Sequence, residues 1–294
     1  MICGEQPSLI FVSEDNNIPS VSQTISKYGL KTYKSFGQHF LTDPGLCKKI
    51  ARAAEPLSSR TVIEIGPGPG GLTRALLESS ATQIIAIEQD TQCINALYPL
   101  TQVWPQKLKI IEGDALAIDL RKLTMDQVSI VANLPYNIGT ALLLKWLNEC
   151  QICEQLTLMF QKEVAERLTA QPGSKYYGRL SIITQWLCTV KKLFDIGPKA
   201  FLPPPKVVSS LVQLVPHTEP LFPANKQVLE LLTRTVFGQR RKMLRSSIKG
   251  LVENSEEFLI NNNINPTLRG ETLNIEQFCA LSRSLAKILP LTKI

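Results

Sequence analysis

The run Val62-Ile63-Glu64-Ile65-Gly66-Pro67-Gly68-Pro69-Gly70-Gly71-Leu72 places four glycines over six positions, directly after a β-branched apolar run and a carboxylate. Glycine lets a backbone turn sharply and lets a ligand approach it without a Cβ in the way. A strand, a tight loop and a helix start is therefore the expected local structure, with a nucleotide-like cofactor in the loop. Gly66, Gly68 and Gly71 also satisfy the dinucleotide pattern, so the loop by itself leaves a nicotinamide cofactor and S-adenosylmethionine both open. Its neighbours tilt the choice. A pyrophosphate needs backbone N–H donors, whereas Pro67 and Pro69 donate nothing and Glu64 adds negative charge. A phosphate-free ligand with a cationic end, such as S-adenosylmethionine, suits these residues better.

Two acids and one tetrad extend the chemistry. Glu88 closes the apolar run Gln83-Ile84-Ile85-Ala86-Ile87, 22 residues beyond Gly66, where a carboxylate can take both hydroxyls of a ribose. Asp114 follows the run Leu108-Lys109-Ile110-Ile111 and can accept an exocyclic adenine amine. The run Val128-Ser129-Ile130-Val131-Ala132 leads straight into Asn133-Leu134-Pro135-Tyr136-Asn137. An adenine amino nitrogen is a poor nucleophile because its lone pair is delocalised into the ring. If the Asn133 side-chain oxygen and the Leu134 carbonyl accept its two hydrogens, the nitrogen can pyramidalise and aim its lone pair at a methyl group. Pro135 fixes the backbone and Tyr136 offers a stacking face. Alignment then supplies much of the rate, and no general base is needed before transfer.

Four apolar runs ending in these residues read as strands whose ends carry the candidate site residues. Upstream, Tyr33-Lys34-Ser35-Phe36-Gly37-Gln38-His39-Phe40-Leu41 precedes Asp43-Pro44, a helix cap with proline at the first helical position. Residues 1–30 are polar and aperiodic and read as a flexible extension. Downstream, prolines 203–205, 216, 220 and 223 bracket a strand near 207–214 and mark a boundary. From Asn225 the pattern is helical, with an apolar face of Val228, Leu229, Leu231, Leu232 and Val236. A final helix is expected after Asn274, with Gln277 completing the cap and Phe278, Leu281, Leu285 and Leu289 facing inward.

The 294 residues carry a formal charge of +7, which points to a polyanionic partner. From Pro216 onward there are 11 Lys/Arg against 7 Asp/Glu, a net +4. Arg240, Arg241, Lys242, Arg245 and Lys249 put five cations into ten residues, a candidate contact to RNA phosphates. The seven cysteines are scattered and only two histidines exist, so the ligands of a zinc site are lacking and reduced, buried thiols are expected. No run is long enough to span a membrane, and no signal or transit peptide is visible. A cytoplasmic protein follows as the expectation.

The set Phe36-Gly37-Gln38-His39-Phe40-Leu41, Glu64 to Gly70, Ile87-Glu88, Gly113-Asp114-Ala115 and Asn133-Leu134-Pro135-Tyr136-Asn137 resembles the ribosomal RNA adenine dimethyltransferase family. The Asn-Leu-Pro-Tyr form sets it apart from DNA adenine methyltransferases. The resemblance continues through Leu156 to Leu168, Lys175 to Ser181 and Phe201 to Ser210, and covers about Tyr33 to Leu285. It implies an α/β, Rossmann-like class I methyltransferase domain with a seven-stranded, mostly parallel sheet over residues 31–215. A small all-α domain over 216–294 would dock RNA. By the same resemblance, His39, Leu41, Gly66, Glu88, Asp114 and Asn133 would hold S-adenosylmethionine, with no metal. Asn133, Leu134 and Tyr136 would present the target base, with Phe201 as a second aromatic clamp. Position 39 is Asn in many relatives. The implied substrate is a pair of adjacent adenines in the 3′-terminal loop of 16S ribosomal RNA, each methylated twice by a monomer acting on the immature small subunit. Extruding a base costs a few kcal/mol, and aromatic stacking returns roughly 1–3 kcal/mol per contact, so an unpaired loop adenine is favoured. The competing readings are an assembly factor that keeps the fold without catalysis, a DNA adenine methyltransferase and a nicotinamide oxidoreductase.

Overall fold

The computed structural model describes residues 18–31, 37–124, 126–148 and 152–289. Residues 32–36 and most of the proposed flexible extension (1–17) lie outside the described residues. Among the described residues the first element is helix α1 (Val21–Lys27), then β1 (Phe40–Leu41), α2 (Pro44–Ala53), β2 (Thr61–Ile65), α3 (Gly71–Leu77), β3 (Gln83–Glu88), α4 (Thr91–Val103) and β4 (Leu108–Glu112). It continues through β5 (Val128–Asn133), α5 (Gly139–Trp146), β6 (Cys153–Gln161), α6 (Lys162–Leu168), α7 (Arg179–Leu187), β7 (Cys188–Ile196), β8 (Phe201–Leu202) and β9 (Ser209–Pro216). Four helices follow, α8 (Lys226–Gly238), α9 (Leu244–Ser247), α10 (Ser255–Asn261) and α11 (Ile275–Ala286).

Seven strands form one sheet in the order β4-β3-β2-β5-β6-β9-β7. The five strands from β4 to β6 pair in parallel, and β9 lies antiparallel between β6 and β7. Every residue of β2 is buried, as expected of a parallel strand covered on both faces. Its side chains alternate between two cores: Ile63 and Ile65 pack with Leu142, Leu143 and Trp146 of α5, Val62 with Leu76 and Leu77 of α3. Strand order reverses between β2 and β5, and a ligand-binding crevice belongs outside the carboxyl ends there.

The caps read from sequence are present. Asp43 accepts from the Leu46 amide at 3.1 Å, Asn225 from Val228 at 3.1 Å, and Asn274 with Gln277 forms a capping box. The buried faces of α8 and α11 join Ile183 and Trp186 of α7 in one continuous core. One expectation is corrected: residues 18–30 are not a loose extension. Ser20 and Gln23 form a capping box at the start of α1, and Val21 and Leu30 are buried. The five described cysteines, Cys47, Cys93, Cys153, Cys188 and Cys279, are buried; Cys150 lies outside the described residues.

Candidate active site

A pocket with about 830 Å³ of open space lies at the carboxyl ends of β2, β3, β4 and β5. It is lined by His39, Leu41, Gly66, Glu88, Asp114 and Asn133, and also by Leu134 and Tyr136. The structure therefore brings together all six proposed cofactor residues and, counting Asn133 in both sets, three of the four proposed base-handling residues. The glycine loop forms one wall. Gly66 has φ +63°, a conformation that L side chains rarely adopt, and nothing lies within 4 Å of where a Cβ would stand. Gly71 meets a harder limit, since a Cβ there would sit 2.3 Å from the Leu41 carbonyl oxygen.

Two acids of the pocket sit in different electrostatic settings. Glu88 is 5% exposed. One carboxylate oxygen accepts from Gly68 N at 3.0 Å, the other from Gln89 N at 2.9 Å and Asp90 N at 3.0 Å. Burial raises its pKa while these backbone donors pull the other way. Glu64 is 1% exposed, and its Oε2 has no hydrogen-bond partner among the described residues. Burial lifts its pKa to about 8, with the neighbouring Glu88 charge adding to the rise and Arg74 opposing it. Asp114 is exposed, and its Oδ1 accepts from the Leu116 amide at 2.8 Å.

Asn133 ends β5, and its Nδ2 donates to the His39 carbonyl at 2.8 Å. That bond fixes the amide orientation and leaves Oδ1 as an acceptor with no donor among the described residues. The His39 ring faces the Tyr136 ring at 5.4 Å, tilted 35°, and its Nδ1 is 2.7 Å from the Pro203 carbonyl oxygen, which only an N–H can satisfy. The Tyr136 hydroxyl shares a 2.5 Å hydrogen bond with Ser209 Oγ. Ser209, the first residue of β9, is a support that the sequence reading did not assign. A small polar residue opening a strand just after a proline run was its one visible sign.

Phe201 corrects another expectation. It is 3% exposed and packs with Leu41, Met159, Ile196 and Leu211, outside the pocket lining. The β1–β8 ladder pairs Phe201 with Leu41 and Leu202 with Phe40, and alternation turns Phe201 inward while Leu202 stays 46% exposed. The basic run is corrected in part. It spans the turn between α8 and α9, α9 itself and the turn that follows it, where Lys249 lies. Arg240 donates to Glu271 at 2.9 Å, to the Tyr177 carbonyl at 2.9 Å and to the Ser174 carbonyl at 3.1 Å, so it is a strut rather than an open cation. Arg245 pairs with Glu256 on the surface. Arg241, Lys242 and Lys249 are exposed and have no ion pair among the described residues.

The strand order, the glycine loop after β2, the acid closing β3 and the tetrad closing β5 define a class I methyltransferase of Rossmann-like build. The family model for ribosomal RNA adenine dimethylase matches residues 29–287, and the chain belongs to that family. It is 50% identical to ribosomal RNA small subunit methyltransferase A of Rhodospirillum rubrum over 270 residues, covering 92% of this chain and 93% of that protein. Against the protein of the same name from Paramagnetospirillum magneticum the identity is 51% over 269 residues, covering 92% and 95%. Among solved structures it is similar to a dimethyladenosine transferase from Plasmodium falciparum, with a TM-score of 0.72 and 29% identity over 85% of this chain and 98% of that one. The 23S rRNA methyltransferase ErmE gives a TM-score of 0.66 and 25% identity over 84% and 99%. Family membership removes the oxidoreductase and DNA-methylating alternatives. Among the described residues no group of three or more His, Cys, Asp or Glu could hold a metal, and no helix is long and apolar enough to cross a membrane.

Proposed function

We propose that this chain dimethylates two adjacent adenines in the 3′-terminal hairpin loop of 16S ribosomal RNA, using S-adenosylmethionine and acting as a cytoplasmic monomer on the immature small subunit. The observation that carries the reading is Asn133, whose amide is held by the His39 carbonyl with Oδ1 left to accept, in a pocket shared with Glu88 and Asp114. In support, the relatives named above are methyltransferases of small-subunit ribosomal RNA.

The residues present fit S-adenosylmethionine. The buried, unpartnered Glu64 Oε2 suits an ammonium group. Glu88 retains acceptor capacity for ribose hydroxyls beyond its backbone donors. Asp114 has an oxygen left for an adenine amine, and His39, Leu41 and Gly66 close the remaining sides. When bound, the cofactor supplies a methyl group made electrophilic by its sulfonium. The chain does the rest. Asn133 Oδ1 and the Leu134 carbonyl take the two hydrogens of the target amine and free its lone pair, while Tyr136, anchored by Ser209, stacks on the base. Apolar Leu134, 2% exposed, helps keep water from the reacting centre. After transfer the amine is acidic and sheds its proton to solvent.

We place the division into a methyltransferase part and a helical RNA-docking part at Pro216, where β9 ends. In the second part Arg241, Lys242 and Lys249 offer open charge to phosphates. The decisive experiment is transfer of labelled methyl to small subunits lacking the dimethyladenines, with methylated subunits and duplex DNA as controls. Close to four methyls per unmodified subunit is expected by the two-adenine reading, and none in either control. Binding to subunits without incorporation would favour the assembly-factor alternative instead.

A further inference from the structure

We propose that Arg74 and helix α1 form a brace that sets the glycine loop for its ligand, which makes Arg74 a positioning residue for cofactor binding. The inference rests on reading the pocket as the S-adenosylmethionine site. Arg74 lies on α3, behind the loop. Its Nη1 donates to the carbonyl oxygens of Pro69 and Gly70, both at 2.8 Å. Its Nη2 donates to the Pro19 carbonyl at 3.2 Å and to Thr24 Oγ1 at 3.1 Å. One guanidinium thus ties the loop to the N-terminal segment, and its planar fork of donors is what allows four acceptors to be served at once.

The loop needs such a tie. Gly66, Gly68 and Gly70 all have positive φ, so the segment draws on conformations that an unbraced glycine chain would leave readily. With the carbonyls of Pro69 and Gly70 held on the Arg74 side, the opposite edge of the loop is left to the pocket. Thr24 is itself fixed, since its hydroxyl also donates to the Ser20 carbonyl at 2.9 Å within the capped turn of α1. The same segment touches the pocket wall a second time: Leu30, Ile25 and Tyr28 pack with Phe40, Cys93 and Ala96. The Phe40 ring stands 2.9 Å from where a Cβ on Gly68 would be. A helix of seven residues is too short to persist alone, and its docking couples residues 18–30 to both sides of the loop. Arg74 also sets its charge against the buried Glu64.

The test uses the full chain and two substitutions, Arg74→Lys and Thr24→Val, singly and together. S-adenosylmethionine binding is read by calorimetry, and methyl transfer by the split between cofactor KM and kcat. Arg74→Lys keeps the charge but not the fork, and its Kd is expected to rise about tenfold; Thr24→Val removes one acceptor and should cost about threefold. On top of Arg74→Lys, Thr24→Val should add less than about twofold, because the hydrogen bond the two residues share is already gone. At saturating cofactor kcat should stay within about twofold, a split that general destabilisation does not give. A folded Arg74→Lys protein with unchanged Kd, or one that loses kcat at constant KM, overturns the brace. If Arg74→Lys does not fold, Thr24→Val decides, and an unchanged Kd overturns the proposal. Failure of the unsubstituted protein to bind S-adenosylmethionine would instead sink the reading of the pocket itself.

Discussion

At Asn133 a single hydrogen bond decides what the side chain can offer. Because its Nδ2 is held by the His39 carbonyl, only the oxygen is left to accept, and in the proposed mechanism the side chain serves as an acceptor when the amine becomes a nucleophile. Asn133→Ala is therefore expected to bind S-adenosylmethionine within a few-fold of the parent while kcat falls by about 10²–10³, the usual scale for losing one preorganised polar group. Equal loss of cofactor affinity in calorimetry would reassign the residue. Glu64 carries a different prediction. Its pKa of about 8, against an ordinary 4.5, means that the carboxyl is largely protonated in the free protein at neutral pH. A cationic ligand favours the carboxylate, so binding should release a proton, and affinity should weaken as pH falls from about 8 toward 6. The same shift acts on stability with a defined sign: the folded state holds the proton more tightly, so stability declines as pH rises from 4.5 toward 8. Glu64→Gln should flatten both profiles over that range, seen in Kd and in melting temperature. Gly66, Glu88, Asp114 and Asn133 were legible because each stands where an apolar strand stops. Phe201 was not: its direction follows from its pairing with Leu41, a partner 160 residues away in sequence.

Among the elements, α1 shows why local pattern falls short. Seven residues give less than two full turns of periodicity, and only Val21 and Thr24 of the helix are buried. What holds it comes from Arg74 and from the cluster around Phe40, neither of which a reading of residues 1–30 contains. The turn between α8 and α9 poses the reverse problem. Five cations close together suggested one common task, yet Arg240 is taken by Glu271, 31 residues downstream. The remaining open cations make a sharper prediction. Replacing Arg241, Lys242 and Lys249 by Gln should weaken RNA binding and reduce the slope of log K against log salt by roughly 0.7–0.9 for each phosphate that is no longer neutralised. Arg240→Gln should instead lower the melting temperature with a smaller change in that slope. An identical slope in the triple variant would leave the turn a solvated surface.

The whole molecule has one large sheet and a core that runs without interruption into the helical part. Trp186 of α7 donates its indole N–H to the Phe222 carbonyl at 2.7 Å, and the Leu221 amide donates back to the Trp186 carbonyl at 2.9 Å. Val228, Leu229 and Leu232 complete the cluster from the other side. A chain ending at Pro216 would expose this face, and we expect it to aggregate rather than yield a smaller active enzyme. Recovery of a soluble, cofactor-binding 1–216 fragment in size-exclusion chromatography would contradict that. The composition anticipated a basic molecule and a helical second part. It could not anticipate a shared core, because that depends on the α7 face opposite α8, not on the amphipathic period of either helix alone.

Strand β9 sits between β6 and β7 although it is the last of the three to be made. During synthesis, therefore, β6 and β7 leave the ribosome with an empty slot between them. Ser209, the partner of Tyr136, arrives only with the strand that fills it. A nascent chain shorter than about 216 residues plus the tunnel length lacks the strand that supports the proposed base-handling residue Tyr136. The catalyst becomes competent late in its own translation, after the glycine loop and both acids are already in place.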